Sequence, residues 1–174
     1  MIGDSGLCNK QTGMELDSDL PDGWTTGKFK HIVVFQEGPG ILADDFCEEG
    51  VPLLRIRNLT PGGATLNGCG FVSEKKACTK WKHFRVRKGD ILISCSATTG
   101  IVSVVDDECV GAIPYTGIIR VWPLPSRSVP GFIRHFVVSR PFLDQIDSLK
   151  SGVAIQHYGP AHLSSCFALL KGSD

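Results

Sequence analysis

The amino-acid sequence predicts an α+β domain, with a curved, mostly antiparallel sheet flanked by helices. Three observations carry this expectation. Short apolar runs bounded by Gly, Pro, Asn and Asp recur through the first two thirds of the chain and read as strands joined by turns. Beyond residue 130 the apolar residues fall at the three-and-four spacing of helices. A length of 174 residues, 42% hydrophobic and 21% charged, suits one domain with a sizeable core and is thin for two.

Taken in order, residues 1 to 19 are polar and are expected to form a disordered tail. They have neither a basic start nor an apolar centre, so they do not read as a secretion signal. No apolar run approaches the ~20 residues needed to cross a membrane, so the cytoplasm is expected. LPDGW (Leu20 to Trp24) reads as a turn followed by an anchoring aromatic, and HIVVFQE as a strand ended by GPG. VPLLRIRN reads as a second strand, in which Leu54 and Ile56 alternate with Arg55 and Arg57 to give an apolar face and a basic face. ILISCS, GIVSVVD and TGIIRVW are further strands. In PGFIRHFVVSRPFLDQIDSLK, Phe132, Ile133, Phe136 and Val137 mark one helix, and Phe142, Leu143, Ile146 and Leu149 a second that Pro141 opens.

The seven cysteines are odd in number and lack any CxxC pair, so neither a disulfide framework nor a zinc site is indicated. The five histidines are scattered as well, and no metal is expected. The zero net charge conceals an asymmetry. Residues 1 to 50 hold three basic and ten acidic side chains, whereas residues 51 to 100 hold nine and two. Within the second block, Glu74 to Asp90 carries Lys75, Lys76, Lys80, Lys82, Arg85, Arg87 and Lys88, interleaved with Trp81, His83 and Phe84. Such a run is either a solvated face or a nucleic-acid contact.

Catalytic motifs fail on inspection. GxSxG, HExxH and the P-loop are missing. Gly38 to Ala43 matches GxGxxA but has proline inside the glycine turn and no acidic residue about 20 positions on. Phe35 to Gly40 approaches the cofactor loop of adenine methyltransferases but is one residue too long. Ala112-Ile-Pro-Tyr115 approaches their catalytic tetrapeptide but lacks its acidic residue and one proline. Cys95 has no nearby histidine in sequence to act as base, and is read as a packing residue.

LPDGW, EEGVPLLRIRNL (Glu48 to Leu59), KGDILIS (Lys88 to Ser94), SATTG (Ser96 to Gly100), GAI (Gly111 to Ile113) and SGVAIQHYGPAHL (Ser151 to Leu163) follow one another in this chain. Their order and spacing resemble those of specificity subunits of type I restriction-modification enzymes, over roughly Leu20 to Leu163. The resemblance implies a DNA target recognition domain over residues 20 to 165. It implies double-stranded DNA as ligand, the methyltransferase and restriction subunits of the system as partners, and no cofactor or catalytic residue in this chain. Residues 166 to 174 are expected as a truncated tail lacking the long helical spacer on which methyltransferase subunits dock.

On this resemblance the Lys88-Gly-Asp90 turn starts a core strand, and Ser96, Thr98 and Thr99 form an exposed loop able to approach DNA. Arg55, Arg57 and Asn58 leave the neighbouring strand end, and Gln156, His157 and Tyr158 precede the last short helix. Guanidinium and amide groups suit guanine and adenine edges, while Lys80, Lys82, Arg85 and Arg87 suit phosphates. The alternative for Arg55 and Arg57 is a sheet face paired with Glu48 or Glu49. Two other classes stay open: an interaction module for an acidic protein partner, and a hydrolase using Cys95 or Ser96.

Overall fold

A computed structural model of the chain describes residues 20–151 and 157–171. In chain order, the elements are β1 (Trp24–Lys28), β2 (Val33–Glu37), β3 (Phe46–Cys47), β4 (Val51–Leu54), β5 (Leu59–Thr60), β6 (Gly63–Ala64), β7 (Gly70–Val72) and α1 (Glu74–Cys78). They continue with β8 (Ile91–Ser94), β9 (Val102–Val104), β10 (Ile113–Pro114), β11 (Ile118–Pro123), α2 (Pro130–Phe136), α3 (Arg140–Ser151), α4 (Pro160–Ser165) and β12 (Phe167–Lys171). The α+β expectation holds, and no described helix is long and apolar enough to cross a membrane.

The central sheet has the order β2-β11-β8-β9 and is antiparallel throughout. Its position follows from β8. Successive strand side chains point to opposite faces, and in Ile91-Leu92-Ile93 both faces are apolar. Ile91 and Ile93 pack with Phe29, Ile119, Val121, Ile133, Phe136, Phe142 and Leu163 beneath α2, α3 and α4. Leu92 faces the other way, into a second cluster with Leu54, Val86, Val105 and Ile118. A second four-stranded sheet, β10-β4-β7-β3, contains one parallel pair, β4 with β10. It packs with Trp81 and Ala77 into a third cluster. The ribbon β5–β6 and the pair β1–β12 complete the described strands.

Pro141 stands at the start of α3, where its missing N–H costs nothing. Two other expectations are corrected. The strand expected over VPLLRIRN ends at Leu54, and Ile56 to Asn58 form a single 3-10 turn. The reason is local: Asn58 Oδ1 accepts a hydrogen bond from the Arg55 N–H at 2.9 Å, which closes the chain where a ladder would continue it. The segment expected as a tail from residue 166 includes β12, which pairs with β1 in the register Trp24 to Lys171. The domain therefore extends past residue 165.

The first of the two glycines in the Phe35 to Gly40 stretch has a packing explanation. A Cβ at Gly38 would lie 2.2 Å from the Pro114 carbonyl oxygen. Only glycine lets these two segments cross.

Candidate nucleic-acid interface

The candidate residues fall into two groups, one at each end of β8. At its entry, Asp90 is buried and its Oδ2 receives both the Arg87 N–H at 2.6 Å and Arg120 Nε at 2.5 Å. Arg120 is buried too, with its guanidinium 4.4 Å from the centroid of the Trp122 ring. This ion pair fixes the turn from which the basic segment departs. The pairing had no signature in the sequence, because its members are 30 positions apart.

Around this anchor the cations differ in their commitments. Arg85 bonds Glu74 at 2.9 Å, and Lys88 bonds Asp107 at 2.6 Å. Lys76 is bound to the buried Asp45. Lys80 is exposed beside the Trp81 ring, Lys82 is exposed, and Arg87 is exposed in a groove that it shares with His83, Gln36 and Trp122. Among the described residues, Lys75, Lys80, Lys82 and Arg87 are exposed cations at this end with no carboxylate partner, and so have charge to spare for a ligand.

At the exit of β8 several segments converge. Ser94 closes the following loop: its carbonyl accepts the Gly100 N–H, and its hydroxyl oxygen accepts the Ile101 N–H, each at 2.8 Å. Within the loop Ala97 has φ of +54°, a left-handed conformation that costs a non-glycine residue about 1–2 kcal/mol. Thr98 is exposed at the tip, and Ser96 and Thr99 are half-buried. Ser96 packs beside Gly117 and Ile56, which brings the turn carrying Arg57 next to this loop. Arg57 is exposed, and its Nη2 donates to the Gly68 carbonyl at 2.5 Å, so its guanidinium is held rather than free-swinging. Arg55 is half-buried, with its guanidinium 5.1 Å from the Phe46 ring centroid. The proposed pairing of these arginines with Glu48 or Glu49 does not form among the described residues.

Two candidates are corrected. Asn58 is fully buried, bonded by Oδ1 to the Arg55 N–H and by Nδ2 to the Asn67 carbonyl, so its amide is spent inside the turn. Tyr158 is buried, with its hydroxyl donating to the Ser94 carbonyl at 3.1 Å. Both side chains hold the loops together and present nothing to a ligand. His157 is exposed beside Glu37, and Gln156 lies outside the described residues.

Cys95 is fully buried. Burial, and secondarily the negative charge of Glu37, push its thiol up to about 12. A nucleophilic cysteine needs the opposite displacement. Its backbone is fully employed, with N–H to the Gly117 carbonyl and C=O to the Tyr158 N–H. Ser96 lies at the turn against Gly117.

Exposed cations at the entry of β8, with hydroxyls and one held arginine at its exit beside the buried thiol, form a candidate binding surface on an α+β scaffold. The chain is 24% identical over 141 residues to the type I restriction enzyme MjaVIII specificity subunit of Methanocaldococcus jannaschii, an alignment covering 77% of this chain and 32% of that subunit. The HsdS subunit from Thermoanaerobacter tengcongensis has the same fold, with a TM-score of 0.65 at 18% identity, over 90% of this chain and 35% of that one. A chain from a structure of a type I R-M system aligns with a TM-score of 0.68 at 17% identity, over 91% of this chain and 37% of its own. No protein-family model matches the sequence. The chain spans about one third of the length of these proteins, and in sequence and fold it is similar to part of a type I specificity subunit.

Proposed function

We propose that the chain is a double-stranded DNA target recognition domain of a type I restriction-modification specificity subunit, which directs an adenine methyltransferase and restriction complex to its site. The observation that carries this reading is the agreement of sequence and fold with specificity subunits over most of the chain. The chain then supplies recognition, and the catalytic groups reside in partner subunits. The buried Cys95, displaced away from the thiolate form, speaks against the hydrolase alternative.

Within this reading Lys80, Lys82 and Arg87 serve as phosphate contacts, because they are exposed and uncommitted to carboxylates. Arg57 serves as a base reader: its guanidinium is exposed yet held by the Gly68 carbonyl, so less side-chain entropy is lost on binding. Thr98 is exposed at the tip of the neighbouring loop. The test is selection from a randomised duplex library with the purified chain, with and without a cognate methyltransferase. Enrichment of one sequence, with weaker salt-sensitive binding to random duplex, is expected. No binding to any duplex under either condition would overturn the reading.

A further inference from the structure

Glu37, Cys95 and His157 follow one another at intervals of about sixty positions in sequence, yet a carboxylate oxygen, the Sγ and an imidazole nitrogen lie within 4.8 Å of one another. They come from the end of β2, the residue after β8 and the segment before α4. A catalytic relay would need the histidine between nucleophile and acid, using its two nitrogens in opposite directions. Here the donor atoms converge instead. His157 Nε2 is 3.5 Å from Glu37 Oε1. That is too long for a charge-assisted hydrogen bond, which runs about 2.7–2.9 Å. It matches the edge of a tetrahedral site, where bonds of about 2.0–2.3 Å put neighbouring ligand atoms roughly 3.3–3.7 Å apart.

The surroundings suit such a site. The Glu37 carboxylate is oriented by the Gly117 N–H at 3.2 Å and faced by the Thr116 hydroxyl at 3.4 Å, as outer partners orient a ligand. Cys95 is sealed from solvent on the inner side, while His157 is exposed on the outer side. That arrangement leaves the cluster open to solvent on the His157 side.

We propose that Glu37, Cys95 and His157 form a binding site for a single divalent transition-metal ion of the zinc class. Sulfur, imidazole nitrogen and carboxylate oxygen together select a borderline-soft ion over magnesium or calcium. On binding, the metal–sulfur bond replaces the Cys95 S–H bond and the proton leaves to solvent. His157 enters as neutral imidazole. The two ligand anions then cancel the charge of the ion. The bond ties the segment before α4 to the central sheet, a structural role independent of the DNA reading.

The experiment uses the full chain, reduced and freed of metal, titrated with Co²⁺ and, separately, dialysed against Zn²⁺. One ion per chain is expected, with a thiolate-to-cobalt charge-transfer band, tetrahedral visible bands and a rise in melting temperature. His157→Ala, at an exposed position, leaves the fold intact by circular dichroism. It should weaken binding by more than the roughly 10–100-fold that losing an outer partner costs. Glu37→Gln should weaken binding likewise, and Cys95→Ser should remove the charge-transfer band. A wild-type chain without that band under excess Co²⁺ would overturn the proposal. So would binding that survives unchanged in His157→Ala, which would place the ion on other cysteines.

Discussion

Asn58 separates the two ways in which an amide can serve a DNA-binding domain. Its type and its place after two arginines make it an adenine reader by sequence, whereas the structure spends both its polar atoms inside the turn that presents Arg57. Replacing it with alanine strands the Arg55 N–H and the Asn67 carbonyl, each left without a partner it holds at 2.9 Å. A buried unsatisfied group costs about 1–3 kcal/mol. Asn67 is exposed, so water reaches its carbonyl and the total settles at about 1–3 kcal/mol. A domain with about 5–15 kcal/mol of stability survives that loss. Guanidinium chloride unfolding followed by tryptophan fluorescence should show a lower midpoint with an unchanged slope. The sharper variant is Asn58→Asp, which keeps the acceptor that closes the turn but replaces the donor with a buried carboxylate oxygen facing the Asn67 carbonyl. A base-reading asparagine changed to aspartate would exchange a preference for adenine for one for cytosine. Burial predicts lower stability and the same preferred sequence. A changed base preference in folded Asn58→Asp, or an Asn58→Ala protein as stable as wild type, would refute the reasoning.

The remaining predictions concern the anchor, the thiols and the cations. Asp90→Ala leaves Arg120 buried without its carboxylate and should cost about 3–5 kcal/mol in denaturant unfolding, with part of the loss recovered on adding Arg120→Leu. A loss below about 1 kcal/mol would show that the pair is not the anchor. In native, metal-free protein a thiol reagent should modify the exposed Cys47 and Cys78, and should reach Cys95, Cys109 and Cys166 only on unfolding. Burial holds Cys95 and Cys166 up to about 12 and Cys109 up to about 11, so the fold favours their protonated forms. That stabilisation is complete below the unfolded thiol value of about 8.5 and is lost as pH climbs towards 11 to 12, which a series of unfolding midpoints checks. Lys82→Ala should weaken binding to all duplexes alike and flatten the salt slope by about 0.9, whereas Arg57→Ala should cost about 1–3 kcal/mol on the selected sequence and much less on random DNA. Equal losses on both duplexes for Arg57→Ala would remove it as a reader.

What the sequence made legible was local. Ile91 to Ile93 announced a buried strand because its apolar run is continuous, and Pro141 announced the start of α3 because its ring suits a first turn. VPLLRIRN misled because its alternation runs on past Leu54, while the competing signal, an asparagine able to bond the backbone three residues earlier, is a single side chain. Tyr158 misled for a related reason: a phenol in a loop fits either a surface contact or a plug, and only its partner, the Ser94 carbonyl 64 positions away, decides. The convergence of Glu37 and His157 on Cys95, and the burial of Arg120 against Asp90, have no local signature at all. They depend on which strands become neighbours, and the register of β11 between β2 and β8 sets that.

The same register separates the proposed contacts in space. Asp90 and Cys95 bracket β8, and five residues of extended chain span about 17 Å. The uncommitted cations therefore stand at one end of a rigid strand, and Arg57 with the Ser96 to Gly100 loop at the other. The major groove of DNA is about 12 Å wide, so an element of that length can set lysines against the phosphates of one wall while a held guanidinium enters the groove beside it. Phosphate contacts need only charge and reach, which exposed lysines on a short turn supply. A base contact needs a fixed direction, and the Gly68 carbonyl on Arg57, the buried amide of Asn58 and the left-handed Ala97 all restrict the exit end, whereas among the described residues no hydrogen bond or carboxylate holds the Lys80 or Lys82 ammonium. Under the proposed function, rigidity is invested where sequence is read and flexibility is left where charge alone suffices.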